Sequence, residues 1–307
     1  MDIVNHLEGR LLFAVPKKGR LQQSALDLLE GSSIKFRRKD RVDIALVTNL
    51  DIALVFLPAA DIPTFVGEGR VDLGITGRDQ VAEHDAATPS TTTSGVEEVM
   101  DLEFGRCRLQ VQVPEDGPTA EARQLVGRSV ATSFVNLTTA YFAGLEGVEL
   151  GQSLKTQVKY LGGSVETACT LGVADGIVDL VESGETMKAA GLKPIATVVE
   201  STAVLIKSKR PSNPALVSLI MSRIEGFVTA RKYVLCQYNV ERINLEAATA
   251  ITPGKRAPTI NAVEKDGWVA VSSMVEKKNV ATAMDALIKI GAQDILELAI
   301  ANTRMGD

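Results

Sequence analysis

Over its first two thirds the chain alternates between short apolar runs and stretches of helical spacing, and nothing else in it constrains the fold as tightly. Residues 11–15 (LLFAV) read as a buried strand; PKKGR breaks it, and Leu21, Ala25, Leu28 and Leu29 then recur on one helix face. Residues 42–47 and 52–57 read as two strands about the polar turn Thr48-Asn49, DIPTFVGEG as a short helix ending in glycine, and VDLGITG as another strand. A polar patch at 85–95 reads as a loop. The alternation then resumes with a strand near 109–113, a helix near 119–125, a strand at SVATSF, a helix over 138–145 and a strand at QVKYL. Such alternation argues for an α/β fold with largely parallel sheets covered by helices.

Next, SVETACTLGVADGIVDLVESGETMKAAGL adds a helix, the apolar strand 176–181 and a glycine loop. PIATVVESTAVLIK is long enough for one or two strands that return the chain to the first lobe. From Pro214 a helical face (Leu216, Ile220, Ile224, Phe227) runs to near Arg231. YVLCQY, a helix over 242–250, APTINAV, WVAVSSMV, a helix over 280–290 and DILELAI complete the chain. Their order is β-α-β-β-α-β, the ferredoxin-like pattern.

Composition narrows the function classes. The 307 residues, 45% hydrophobic and 23% charged, suit two or three globular domains and exclude disordered and coiled-coil classes. Aromatic residues are only 4% and the net charge is -5, a poor basis for a nucleic-acid surface, so an anionic ligand must be small and locally held. No apolar run of about 18 residues is present, and Asp2 and Glu8 stand where a signal peptide would be basic and then apolar. The expectation is a cytoplasmic protein with no membrane partner. Two histidines (His6, His84) and three dispersed cysteines (Cys107, Cys169, Cys236) leave little for a zinc cluster or a histidine-based nucleophile.

The strongest local signal runs from Asp175 to Met187. An apolar strand carries Asp175 and Asp179 into Glu182-Ser183-Gly184-Glu185-Thr186, whose backbone and hydroxyl donors can wrap a phosphate. Acids beside a phosphate cradle suit a phosphosugar: they accept from ribose hydroxyls or sit near a Mg²⁺ that neutralises a diphosphate. Upstream, Gly162-Gly163-Ser164 places a serine N-cap before Glu166, at the start of an expected helix. Lys17, Lys18 and Arg20 surround Gly19 after the first strand, and Gly74 to Asp79 forms a second small-residue loop with a cation, Arg78. Thr132, Ser133 and Asn136 form a third. Open α/β sheets bind ligands beyond the carboxyl ends of their strands, so these loops are expected on one edge. The basic run from Lys35 to Arg41 reads as a solvated strand edge.

GGSVETACTLGVADGIVDLVESGETMKAAGL resembles the signature of the ATP phosphoribosyltransferase family, which opens histidine biosynthesis. FAVPKKGRL, DIPTFVGEGRVDLGITGRDQV, RSVATSFVNL and ITPGKRAPTI extend the resemblance over nearly the whole chain, and the C-terminal module is similar to that of the long, histidine-regulated, fungal-like form. The resemblance implies that N1 of ATP attacks C1 of phosphoribosyl pyrophosphate with Mg²⁺ present and no covalent enzyme intermediate. It implies a two-lobed body like periplasmic binding proteins, with one lobe over 1–104 and 200–231 and a second over 105–199, followed by a regulatory ferredoxin-like domain over 232–307. Carried onto this sequence, Glu166 and Lys18 serve the chemistry. Asp175, Asp179, Glu182, Ser183, Gly184, Glu185 and Thr186 hold phosphoribosyl pyrophosphate, with Mg²⁺ near Asp175 and Asp179. Arg20, Asp61, Asp72, Gly77 and Arg78 face the nucleotide. Asn239, where relatives can carry an acid, and Thr259 face a histidine bound between modules of a homo-hexamer. Some relatives carry an arginine where this chain reads Leu57-Pro58-Ala59-Ala60, and the cations of PKKGR are candidates to replace it. The rival reading is a non-catalytic two-lobed binding or sensor protein.

Overall fold

The apolar runs become strands in three separate sheets of the computed structural model, which describes residues 7–38, 42–92 and 94–304. His6, Lys39 and Arg41 lie outside the described residues. By its contacts the chain divides into two compact units, residues 1–27 with 35–217, and residues 28–34 with 218–307.

In the first unit, β1 (Leu11–Pro16), the start of α1 (Gln22–Gly31), β2 (Ile44–Leu46), β3 (Ile52–Leu57), α2 (Ile62–Gly67), β4 (Leu73–Gly77), α3 (Arg78–Ala87) and β5 (Val96–Asp101) build lobe I. The chain then crosses to lobe II: β6 (Cys107–Pro114), β7 (Ser129–Thr132), α4 (Val135–Glu146), β8 (Gln157–Tyr160), β9 (Gly176–Val181), α5 (Glu185–Ala189) and β10 (Leu192–Ser201). It returns as β11 (Ala203–Ser208) and leaves along α6 (Pro214–Lys232). The strand orders are β2-β3-β1-β4-β11-β5 and β10-β6-β9-β7-β8.

Neither sheet is largely parallel, contrary to the expectation from alternation. β1 pairs parallel with β3 and β4, and β7 with β8 and β9, but β11 runs antiparallel to β4 and β5, and β6 antiparallel to β9 and β10. The cause is connectivity: the crossing strands pass between lobes, and only an α-helical crossover within one sheet forces a parallel neighbour. Two crossings join the lobes side by side, with Ser201 paired to Cys107 and Val204 to Asp101. Phe13, Ile52, Leu54 and Phe56 on β1 and β3 are essentially inaccessible, each side chain stabilising the lobe by roughly 1.5–3 kcal/mol.

Local differences have physical reasons. The expected helix near 119–125 is a single 3-10 turn, Ala122–Leu125, closed by a capping box between Glu121 and Gln124. The helix expected after Ser164 is likewise one 3-10 turn, Val165–Thr167; Ser164 adopts a left-handed φ of 52° and makes no cap bond. Part of the 85–95 patch belongs to α3, which has no apolar stripe to announce it. Among the described residues of the basic run, 35–38, there is no edge strand: Phe36 makes one bridge to Val47, and Arg38 stacks 3.8 Å over the Phe56 ring.

In the second unit, β12 (Tyr233–Glu241), α7 (Leu245–Ile251), β13 (Thr259–Ala262), β14 (Trp268–Glu276), α8 (Val280–Lys289) and β15 (Gln293–Ala299) form the expected β-α-β-β-α-β module, ordered β13-β14-β12-β15. Alternate residues Val234, Cys236, Tyr238 and Val240 form its core with α7 and α8. The end of α6 belongs here because glycines let backbones meet. A Cβ at Gly31 would enter the Phe227 ring and one at Gly226 the Thr303 carbonyl, while the Asn302 amide donates to the Gly31 carbonyl at 2.8 Å.

Candidate functional site

β9 delivers the chain into Glu182–Thr186. Gly184 has φ 83°, the left-handed conformation that a side chain disfavours, and this turn lets α5 start immediately afterwards. Ser183, Gly184 and Thr186 line a cavity of about 210 Å³ with Glu182, Met187, Cys107 and Arg20. Just upstream, Asp179 is mostly enclosed. Burial pushes its carboxyl up to about 6; the Leu180 N–H, donating to it at 2.8 Å, pulls the other way, and the Glu166 carboxylate adds repulsion. The 3-10 turn bearing Glu166 sits against β9 through Val165, Ala168 and Ile177. Thus Glu166, Asp179 and the hydroxyl loop come together in lobe II.

Lobe I contributes cations at the carboxyl ends of β1 and β4. Gly19, φ 85°, turns the chain so that Arg20 points inward. The Arg20 guanidinium donates to the Gly105 carbonyl and lies 3.4 Å from the buried Asp79 carboxylate, which also accepts from the Ser201 hydroxyl at 2.5 Å. Gly77 is required by this packing, since a Cβ there would collide with the Asp79 carboxylate. The first N–H groups of α3 are already satisfied, Arg78 donating to Thr202 O and Asp79 to Ser201 Oγ, both at 2.9 Å. Arg78 itself forks onto Glu98 (2.6–3.1 Å) and reaches Asp101 at 3.3 Å; the Glu98 bond, first among the causes, raises its already high pKa.

Arg78, Ser201 and Glu182 line a second cavity, a cleft of about 600 Å³, with Arg106, Arg108 and Glu200 among others; it shares Glu182 and Cys107 with the smaller one. Arg106 and Arg108 were not foreseen. Both are exposed and, among the described residues, neither forms an ion pair, so they are the cleft's uncompensated cations. The R-C-R spacing on the start of a strand is the signal that could have found them, because a period of two puts both arginines on one face. Cys107 between them is buried, and burial raises its thiol pKa. All three cysteines are free.

Other expected residues stay apart. Asp175 lies at the opposite end of β9, its carboxylate taken at 2.9 Å by both the N–H and hydroxyl of Ser129, which holds its pKa down. At about 3.3 Å rise per residue, four residues of strand separate it from Asp179 by roughly 13 Å, so the two cannot share one metal ion. Asp72 is equally remote from Gly77 at the start of β4, where it accepts from the Leu12 N–H at 2.9 Å and the Ser212 N–H at 2.5 Å. Both acids brace strand ends. Asp61 and Lys18 are exposed on the carboxyl edge of lobe I but line neither cavity; Lys17 is tied to Asp43 at 2.8 Å. Among the described residues no three acidic, histidine or cysteine side chains gather as a metal cluster, and no helix is long and apolar enough to cross a membrane.

In the C-terminal module, Thr259 pairs with Ser272 and Asn239 with Ala270, so both stand on the sheet face away from α7 and α8, with β14 between them. The Asn239 amide donates to Asp294 Oδ2 at 3.0 Å. Leu296 and Leu298, 51% and 43% exposed, share that open face.

The family model described as ATP phosphoribosyltransferase matches residues 58–226, and that of the HisG C-terminal domain matches residues 230–302. Curated proteins named ATP phosphoribosyltransferase align over 99% of this chain and 100% of their own length: 60% identical in Yarrowia lipolytica, 56% in Schizosaccharomyces pombe and 52% in Saccharomyces cerevisiae. Among solved structures, the ATP phosphoribosyl transferase (HisG:HisZ) complex from Thermotoga maritima superposes with a TM-score of 0.54 at 23% identity, covering 70% of this chain and 96% of that one, a likeness of fold. With identity of this extent running through both units, the chain belongs to the ATP phosphoribosyltransferase family.

Proposed function

We propose that the cleft joins N1 of ATP to C1 of phosphoribosyl pyrophosphate, giving phosphoribosyl-ATP and pyrophosphate, the opening step of histidine biosynthesis. One observation supports the assignment to this cleft: it shares Cys107, Val181 and Glu182 with the cavity that the glycine-and-hydroxyl loop lines, so that loop and the uncompensated guanidinium groups stand in adjoining spaces. Ser183, Gly184 and Thr186 offer donors for the terminal phosphate of the phosphosugar, with Glu182 and Glu185 alongside. Asp179 and Glu166 face the ribose. Arg20, Arg106 and Arg108 take the diphosphate and the nucleotide phosphates, whose paired anionic oxygens suit the planar guanidinium fork. Arg78 borders the nucleotide side, Gly77 sets the turn before it, and Asp61 and Lys18 stand farther out on the carboxyl edge of lobe I.

The donor set fits Mg²⁺ in the manner usual for that ion, one or two carboxylates completed by substrate phosphates. Asp179 stands beside Glu166 with a hydrogen bond on one oxygen only, whereas Asp175 holds Ser129 at the other end of β9. When bound, Mg²⁺ supplies neutralisation of the departing diphosphate. The chain's own residues supply alignment of N1 with C1, fixed cations around the leaving group, and carboxylates near the positive charge that develops at C1. No nucleophilic side chain is needed.

Histidine acts on the C-terminal module around Asn239 and Thr259, and the chain assembles as a homo-hexamer; the open sheet face with Leu296 and Leu298 supports an interface there. Three free cysteines suit a reducing, cytoplasmic setting. The test is pyrophosphate release that requires both ATP and phosphoribosyl pyrophosphate with Mg²⁺. Binding of both without release would instead identify a two-lobed sensor.

A further inference from the structure

Helix α4 begins without a cap of its own. Its N-cap position is Phe134, whose side chain accepts no hydrogen bond, so the helix lacks the short polar residue that ordinarily takes its first N–H groups. The acceptor comes from the other lobe. Glu83, on the second turn of α3, accepts the Asn136 backbone N–H at 2.7 Å and the Asn136 side-chain amide at 2.9 Å on one oxygen, and the Leu137 N–H at 2.8 Å on the other. Both oxygens are used, and the negative charge sits at the positive end of the helix dipole.

What each helix carries gives this bond a second consequence. α3 starts with Arg78 and Asp79, so its first turn is fixed to Arg20 and Ser201. α4 follows Thr132, whose hydroxyl donates to the Val178 carbonyl at 2.7 Å and accepts from the Phe134 N–H at 2.9 Å. Val178 immediately precedes Asp179. The turn into α4 is therefore tied to β9 just upstream of the hydroxyl loop. Glu83 joins the braced group that holds Arg20 to the braced group that presents Asp179, independently of the two chain crossings.

We propose that Glu83 is a positioning residue, a latch between the lobes that fixes the separation of Arg20 and the hydroxyl loop across the cleft. The proposal rests on reading that cleft as the transferase site. Its test compares the full-length parent with Glu83→Ala and Glu83→Gln for pyrophosphate release, for binding of phosphoribosyl pyrophosphate alone and ATP alone, and for thermal unfolding. The latch predicts a kcat lowered by roughly 10- to 100-fold in Glu83→Ala, the scale of a one-ångström misplacement, with each substrate alone bound within about threefold of the parent. Glu83→Gln, which keeps one acceptor oxygen and loses the charge, falls between. If Glu83→Ala does not fold, Asn136→Asp, which sets a second carboxylate against Glu83, must show the same loss of kcat. A kcat within about twofold of the parent overturns the latch, as does an equal loss of binary binding and turnover, the pattern of a merely weakened fold. A parent that releases no pyrophosphate overturns the site reading instead.

Discussion

Arg20 and Asp79 form an ion pair at 3.4 Å in which the Asp79 side chain has no exposed surface and the Arg20 side chain keeps 21% of its own. The buried partner holds the accessible one. Asp79→Ala should leave Arg20 held by the Gly105 carbonyl alone and take from the Ser201 hydroxyl its carboxylate acceptor. We expect a stability loss of about 3 kcal/mol, at the low end for a buried pair because Arg20 still reaches water, together with a raised KM for both substrates. Denaturant unfolding and steady-state kinetics check the two halves. Gly77→Ala should shift both in the same direction by pushing the Asp79 carboxylate aside.

Arg106 and Arg108 are expected to act as charge-assisted donors to substrate phosphates. Replacing either with Gln should lower kcat/KM by roughly 10- to 100-fold, corresponding to about 1.5–3 kcal/mol per charged hydrogen bond, and should leave the melting temperature close to the parent's because both side chains are exposed. Kinetics over a range of ionic strength should show a shallower salt dependence in each variant.

The carboxyl of Asp179, at about 6 rather than 3.8, makes a paired prediction. A raised folded-state value means the folded chain holds its proton more tightly than the unfolded chain. Stability from this group is therefore greatest below about pH 4, declines as pH rises to about 6 and stays level beyond, a penalty of as much as about 3 kcal/mol. Asp179→Asn should be more stable than the parent at pH 8, little changed at pH 4, and impaired in phosphoribosyl pyrophosphate use. Thermal melts across pH measure the first part. In the parent, kcat/KM for phosphoribosyl pyrophosphate should fall below about pH 6.

Asn239→Ala with Thr259→Ala should weaken histidine inhibition at least about tenfold, equivalent to about 1.4 kcal/mol, while kcat without histidine is unchanged. Inhibition curves at fixed substrate levels decide it.

The strands most legible in the sequence are those buried on both faces: LLFAV, IALVFL and GIVDLV announce themselves by continuous apolar character. β5, VEEVMD, did not, because it is an edge strand with only Val96 buried. The hydroxyl loop was readable because its chemistry is local. Which acids accompany it was not: Asp175 and Asp179 look equivalent in a motif, yet a strand carries one to each end of the sheet. Ser201 and Asp79 are 122 positions apart, and only the paired crossings bring them together. Arg106 and Arg108 stood just outside the strand as its apolar core defined it, so the reading passed over them.

The return strand β11 also sets the order in which the chain can be completed. β4 pairs with β1 on one side, while its other neighbour, β11, begins only at Ala203, after the whole of lobe II. During synthesis the fully buried LGITG segment of β4 therefore waits with an open hydrogen-bonding edge until residues 107–201 have emerged. Long-range pairing of this kind is slow, and an unfilled apolar edge is where nascent chains pair with one another. Slow completion of lobe II is therefore expected to lower the yield of folded chain, and lesions in lobe II, far from β4, should appear as aggregation of lobe I.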